Sequence, residues 1–226
     1  MVLWNGTDLS TKGIIVEKIP SITKGKKRID TYQVEGRNGL LVVDKGTYDS
    51  FVCSLSCHFN ETYSIDDIKE FLDGYGTLSI DGVREYNAFI KNQIDFDEIE
   101  RSGFRKFIIQ FQCNPIAYDI TGTDVLITES PSTISIQQTF NTYPVIELEG
   151  TGNVEITFNN KTFYLYDLEA NNTYILDCNA KEIYVDNVNY SNKMAGDFPY
   201  LQKGTNTISY TGTITKFKIT YKKAYL

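Results

Sequence analysis

The sequence has one histidine, one tryptophan and no CxxC pair. Each scarcity removes a class of chemistry. Ser–His–Asp and Cys–His hydrolysis both need an imidazole beside the nucleophile, and His58 is the sole candidate. It directly follows Cys57 on a segment that alternates as a strand, so the two side chains point to opposite faces. His58 therefore reads as a structural or surface residue. The four cysteines are Cys53, Cys57, Cys113 and Cys178, and a zinc site would have to gather ligands from three distant segments. Cys53 and Cys57, four residues apart on one strand, would sit roughly 13 Å from each other, beyond disulfide reach. They read as separate buried thiols in a reduced compartment.

No apolar run approaches the ~20 residues of a membrane helix. The opening "MVLWNGTDLSTKG" is too polar for a secretory signal, so the expectation is a chain made in the cytosol and soluble there. No P-loop, dinucleotide fingerprint or EF-hand loop is present. The nearest glycine-rich piece, Glu149-Gly150-Thr151-Gly152, reads as a turn between two strands. It opens no helix and is a poor phosphate cradle. Positive charge is also short: 22 basic residues face 29 acidic ones, for a net charge of −7. General attraction to nucleic acid is therefore disfavoured. The one basic run, Lys24-Gly25-Lys26-Lys27-Arg28, reads as a solvated loop. Acidic clusters at Asp66 and Asp67, and at Asp95, Asp97, Glu98 and Glu100, do not establish the paired carboxylates of glycoside hydrolysis, which are a spatial fact. The expectation is a protein that is not an enzyme, with no catalytic residue, metal ligand or cofactor, and with no ligand-binding residue assigned.

What is present favours strands. Among 226 residues there are 16 tyrosines and 13 phenylalanines, with threonine, isoleucine and valine throughout. Such side chains pack well on a pleated, half-buried surface. The segments "GIIVEKI", "IDTYQVEG", "LLVVD" and "YDSFVCSLSCHF" read as strands, with "RNG" as a tight hairpin turn and Lys45-Gly46-Thr47 as a second turn. One amphipathic helix of about 9 residues is expected after Ser64. Ser64 is the N-cap, Asp66 and Asp67 fill the first turn, Ile65, Ile68, Phe71 and Leu72 form the apolar face, and Gly74 follows the end. Strands resume at 76–81, 86–99 and 104–113, the last ended by Asn114-Pro115.

Residues 119–143 change character to Thr, Ser and Gln with few charges. This places a boundary between domains 1–125 and 126–226. Beyond it, seven short strands separated by Gly, Asn or Asp turns have the rhythm of an antiparallel sandwich or jelly roll. Tyr164, Tyr166, Tyr174, Tyr184 and Tyr190 supply amphipathic rings that suit either a sugar or a protein partner. The fold class is mainly β in two domains, the first carrying one helix and a hairpin. In "GDFPYLQKGTN" (196–206), Phe198 and Leu201 read as core plugs, Pro199 stiffens the entry and Gly204 takes a turn conformation. The segment is a clasp, not a ligand lip.

"GDFPYLQKGTNTISYTGTITKFKITYKKAYL" resembles the C-terminal signature of siphophage distal tail proteins: Phe-Pro-x-Leu, then Gly-x-Asn, a strand, a glycine and a final strand. "YPVIELEGTGNVEITFNN" and "YILDCNAKEIYVDN" are similar to the entry and central hairpin of that family's second domain. "KRIDTYQVEGRNGLLVVDKGTYDSFVCSLSCHF" and "FRKFIIQFQCNPIAY" are similar to its first domain. The resemblance implies a virion structural protein of the tail tip, made in a bacterial host's cytoplasm. It implies a hexameric ring built by a sandwich with one helix and a hairpin, and a galectin-like second domain projecting outward. The implied partners are further copies of the chain, the tail tube protein, a hub or lysin protein and the tape measure protein, with a receptor-binding protein or cell-wall saccharide beyond them. DNA would pass the lumen unbound, with acids such as Asp95, Asp97, Glu98 and Glu100 facing it. The alternative is a carbohydrate-binding adhesion module.

Overall fold

Alternation of β-branched and aromatic residues with polar ones does produce strands along nearly the whole chain. A computed structural model describes residues 1–21, 23–60, 63–98 and 103–226, and among them the fold is mainly β with a single α-helix. Contacts divide the chain into two units, Met1–Ile120 with Leu226, and Thr121–Tyr225. The second unit begins ahead of the compositional boundary because Thr123–Leu126 pairs with Gly204–Tyr221.

In the first unit an antiparallel sheet runs in the order Leu3–Trp4, Tyr75–Ser79, Arg84–Ile90, Phe104–Asp119, Phe51–Asn60, Ile15–Val16. The register explains its core. Cys57 faces Phe107, Leu55 faces Ile109, and Cys53 faces Phe111, and all six are buried. Trp4 closes the layer, its ring 5.0 Å from that of Phe111. The helix Ile65–Phe71 is shorter than expected, but its signals act as read. Ser64 Oγ accepts from Asp67 N at 3.4 Å, Ile68 and Leu72 are buried, and Gly74 has φ +79°.

Several expected boundaries move. The strand starting at Phe104 does not stop at Asn114-Pro115 but continues to Asp119. Its register against Arg84–Ile90 shifts between Cys113 and Ala117, and a bulge is where a strand tolerates proline. The segment 13–19 yields only Ile15–Val16, because Leu9–Lys12 forms a 3-10 turn ended by Gly13 at φ +75°. The segment 86–99 breaks after Ile90, where the Asn92 side chain takes the Gln110 N–H at 2.7 Å and donates to the Ile108 carbonyl at 2.9 Å. Asp97–Glu98 then pairs separately. Ile99 and Glu100 lie outside the described residues.

The second unit is organised by two long strands, Val145–Phe158 and Gly204–Tyr221. Each joins two segments that read as separate strands. Glu149-Gly150-Thr151-Gly152 is therefore not a turn. It lies inside a continuous strand whose register shifts at Glu149/Gly150 and again between Thr151 and Glu155. The first half, 145–148, pairs with Tyr174–Asp177, and the second half, 154–158, pairs with Lys161–Leu168. Residues of both halves, Ile146 and Leu148 with Ile156 and Phe158, enter one core cluster. Glycine permits the bend. A Cβ on Gly212, at φ +100°, would come 2.6 Å from the Asn153 carbonyl, and one on Gly150 would strike the Thr213 carbonyl.

Candidate assembly surfaces

The strands Lys27–Gln33 and Leu40–Tyr48 form a two-stranded hairpin that joins neither large sheet. The run Leu40-Leu41-Val42-Val43 sets its character. Neighbouring strand residues point to opposite faces, so four apolar residues in a row make both faces apolar. Cross-strand pairing groups Ile29, Leu40 and Val42 on one side, and Tyr32, Leu41 and Val43 on the other. All six are exposed, Leu40 at 58% and Val42 at 55%. The charges on the strands pair locally, Lys27 with Asp44, Lys45 with Asp30 at 2.9 Å, and Arg28 with Asp49 at 2.5 Å, while Glu35 and Arg37 are exposed in the connecting loop. Lys27 and Arg28 thus leave the basic run as ribbon side chains instead of a loop. A ribbon without a core is marginal in water, and apolar residues gathered in this way mark an interaction surface.

Two turn expectations are corrected. The hairpin end is not a tight Asn-Gly turn. It is the longer loop 34–39, in which Gly36 (φ +77°) and Gly39 (φ +81°) hold the left-handed conformations and Asn38 does not. Lys45-Gly46-Thr47 is not a turn but an irregularity within the strand, with Gly46 at φ +67° and its N–H on Asp44 Oδ1 at 2.9 Å.

A second surface lies on the outward side of the first sheet. Register places Tyr75 beside Phe89, Phe89 beside Gln112, and Gln112 beside Val52. Tyr75 is 83% exposed, and Phe89, Val52 and the nearby Ile108 are exposed as well. The Tyr75 and Phe89 ring centroids are 5.3 Å apart, and with Thr77, Asn87 and Asn114 they rim a shallow depression.

The residues weighed for chemistry do not converge. Cys57 is buried, while His58 points outward, Nδ1 3.3 Å from Glu17 Oε1 and its ring edge-on to Phe104. Glu17 also pairs with Lys106 at 2.9 Å, which holds its carboxyl below the usual range. All four cysteines are free and buried. Burial pushes the Cys53 thiol up to about 11 and those of Cys57 and Cys113 to about 12, and raises Cys178 as well. A protonated, enclosed thiol is no nucleophile. Among the described residues no cluster of His, Cys, Asp and Glu could hold a metal ion.

Asp95 and Asp97 are exposed, Asp95 accepting from Gln93 Nε2 at 2.9 Å and Asp97 standing opposite Lys106. The Glu98 side chain and Glu100 lie outside what is described. Asp66 pairs with Lys69 at 3.4 Å on the helix surface. The five tyrosines separate. Tyr164 and Tyr166 are exposed and nearly parallel, 6.3 Å apart. Tyr174 is buried, its hydroxyl accepting from Glu169 N at 3.0 Å, and Tyr190 packs edge-on against it. Tyr184 bonds Glu182.

The segment 196–206 is a fastening, with one correction. Leu201 and Pro199 are buried, but Phe198 only partly so, resting against the core from its rim. Gly204 has φ +94°. The strongest element is the asparagine of the Gly-x-Asn motif, the fully buried Asn206. Its Oδ1 accepts from Gln202 N at 2.8 Å and from Asn159 Nδ2 at 3.2 Å, and its Nδ2 donates to the Gln202 carbonyl at 2.9 Å. Buried Thr142 and Gln138 complete the fastening. Thr142 exchanges backbone bonds with Leu201 at 2.8 and 3.0 Å, and Gln138 Nε2 donates to the Leu201 carbonyl at 2.8 Å.

Residues 119–225 match the family described as "Siphovirus-type tail component, C-terminal domain". No curated protein sequence matches the chain. Among solved structures, the Dit protein of phage SPP1 aligns over 100% of this chain and 98% of its own, at 12% identity and a TM-score of 0.77. Its description calls it a paradigm of the hub adsorption apparatus in Gram-positive-infecting phages. The phage P2 baseplate in its activated conformation aligns in its calcium form over 96% of this chain and 92% of the matched chain, at 9% identity and a TM-score of 0.54. The strontium form covers 95% and 92%, at 10% identity and a TM-score of 0.51. At these identities the likeness establishes the fold.

Proposed function

We propose that this chain is a siphovirus-type distal tail protein, a structural piece of the tail tip. The observation that carries this reading is the fold correspondence with the SPP1 Dit protein over the full length, joined to the family match across 119–225. In this reading the first unit, residues 1–120, is the sandwich-type domain that builds a closed ring of six copies. The second unit, residues 121–225, is a galectin-like sandwich. The ring joins the tail tube to a hub or lysin protein, and the tape measure protein and then DNA pass through the lumen. The hairpin supports a role in assembly: it exposes apolar residues on both faces and offers no chemistry of its own. The exposed acids Asp95 and Asp97 suit a channel wall that does not retain DNA.

Light scattering on the size-separated full chain, followed by electron microscopy, tests the ring. Six-fold particles with a central opening are expected. A chain that stays monomeric at every concentration, alone and beside its tail neighbours, overturns the reading.

A second reading is the carbohydrate-binding module. The parallel, exposed Tyr164 and Tyr166 favour it, since flat rings stack on sugar faces. Retention of cell-wall polysaccharide by the wild type, lost in Tyr164→Ala/Tyr166→Ala, would establish it as a property of the second unit.

A further inference from the structure

The fastening at 196–206 has a second side. Its inner side is tied to the core through Leu201 and Asn206. Its outer side faces a two-residue turn, Asn159-Asn160, which joins Phe158 to Lys161. Asn159 has φ +54°, a left-handed conformation that asparagine tolerates better than most residues. The same side chain pins the turn. Its Oδ1 accepts from Thr207 N at 3.0 Å, and its Nδ2 donates to Asn206 Oδ1 at 3.2 Å. Asn206 also holds both backbone groups of Gln202, at 2.8 and 2.9 Å. Turn and clasp therefore hang from one buried amide, and the space between them is set before any ligand arrives.

That space is a depression of about 210 Å³. It equals about seven waters at ~30 Å³ each, a scale that suits one sugar ring and falls short of the ~300 Å³ at which drug-sized sites begin. Its floor is apolar, made by buried Phe158 and Pro199. Tyr200 forms a wall, backed edge-on by Tyr143 at 6.1 Å. Asn160, Lys161 and Gln202 complete the lining and are exposed.

These groups select a ligand. Lys161 Nζ lies 4.9 Å from the Tyr200 ring centroid, which steadies the ammonium by cation–π attraction. Among the described residues it has no ion pair, whereas Lys193, Lys216 and Lys218 of the same unit each meet a carboxylate. None of the described residues lining the depression is an acid. The charge is left for a carboxylate or phosphate, which accepts charge-assisted bonds from an ammonium. The Asn160 and Gln202 amides each offer donors and an acceptor, matching hydroxyls, which do both. The apolar floor suits the C–H face of a ring. We propose that this depression binds one acidic sugar residue, a six-membered ring bearing a carboxylate or a phosphate, with Lys161 on the acid and Asn160 and Gln202 on the hydroxyls. The segment is then a clasp inside and a lip outside. The site is separate from Tyr164 and Tyr166, which lie farther along the strand that Lys161 begins, and it needs neither that pair nor a ring.

Saturation-transfer NMR on the full chain tests the site, with glucuronate, glucose 6-phosphate and glucose as ligands. At least one of the two acids should bind saturably with a Kd on the order of 1 mM, as suits one ion pair and a small footprint. Glucose should bind about 10-fold more weakly, and acetate at equal concentration should not displace the acid. Lys161→Met should weaken the acid by about 10-fold or more, the worth of a charge-assisted bond, and Gln202→Ala should weaken it to a lesser degree. Both positions are exposed, and thermal melting checks that the variants fold; Lys161→Gln serves if the methionine variant does not. Lys203→Met, at an exposed neighbour outside the lining, and Tyr164→Ala/Tyr166→Ala should leave binding unchanged. Absence of saturable binding, glucose as tight as the acids, displacement by acetate, or an equal loss in Lys203→Met overturns the site. Loss in Tyr164→Ala/Tyr166→Ala with Lys161→Met unaffected overturns it too, and moves the saccharide to the tyrosine pair. Each of these results leaves the tail-tip reading standing.

Discussion

A single buried amide, Asn206, ties the turn at 202–204 to the strand edge beside it, and its loss would strand several polar groups. Asn206→Ala should cost about 1–3 kcal/mol, the usual penalty for leaving a buried partner unsatisfied. Leu201→Ala, at a fully buried site, should cost about 2–5 kcal/mol. Phe198→Ala should cost less than Leu201→Ala, because its ring is only partly removed from water. Urea titrations of the three variants give the order directly, and a Phe198 variant weaker than the Leu201 one would reverse this account of the clasp. The sequence shows why residues here differ in legibility. Gly204 before a strand and an apolar Leu201 are recognisable by type. Phe198 is equally apolar, but its position at the rim depends on strands far away in sequence. Gln138 and Thr142 look like solvated members of a Thr- and Gln-rich stretch, and only the return of Leu201 beside them makes them interior.

Among elements, the long bent strands carry the most information about how local signals mislead. Glycine punctuates a turn and a bulge alike. Gly150 and Gly212 therefore read as ends of short strands, yet each sits inside one long strand whose two halves keep pairing with the same partner. Pro115 misleads in the same way, ending a ladder in principle and occupying a bulge in fact. By contrast, the helix announces itself through Ser64, Asp66, Asp67 and Gly74, all within a few residues. The bend at Gly212 can be tested: Gly212→Ala combines a left-handed φ with a 2.6 Å approach to the Asn153 carbonyl. It should destabilise the protein by about 1–3 kcal/mol or more, the range for such backbone strain. An unchanged melting temperature would mean the strand can bend elsewhere.

For the whole molecule, composition foretold strands, while the exposed apolar surfaces were only half visible. The run Leu40–Val43 is apolar on both sides by inspection, but Tyr75 and Phe89 become one patch only through register. Net charge gives the scale its prediction. Copies carrying −7 each repel, and the ribbon offered for assembly is apolar on both faces. Raising salt from about 0.1 M to 1 M shortens the screening length from about 10 Å to 3 Å, which should leave the assembled fraction unchanged or larger. Sedimentation across that range checks it, and dissociation by salt would point to an ion-paired interface instead.

The uncovered ribbon also bears on how such a chain must be supplied. If the chain assembles as proposed, every newly made copy displays a sticky edge until a neighbour arrives, and edges of this kind recruit whatever strand they meet first. Output of the chain matched to the pace at which copies are consumed keeps the unclaimed pool small; surplus would accumulate as tangles, not as spare parts.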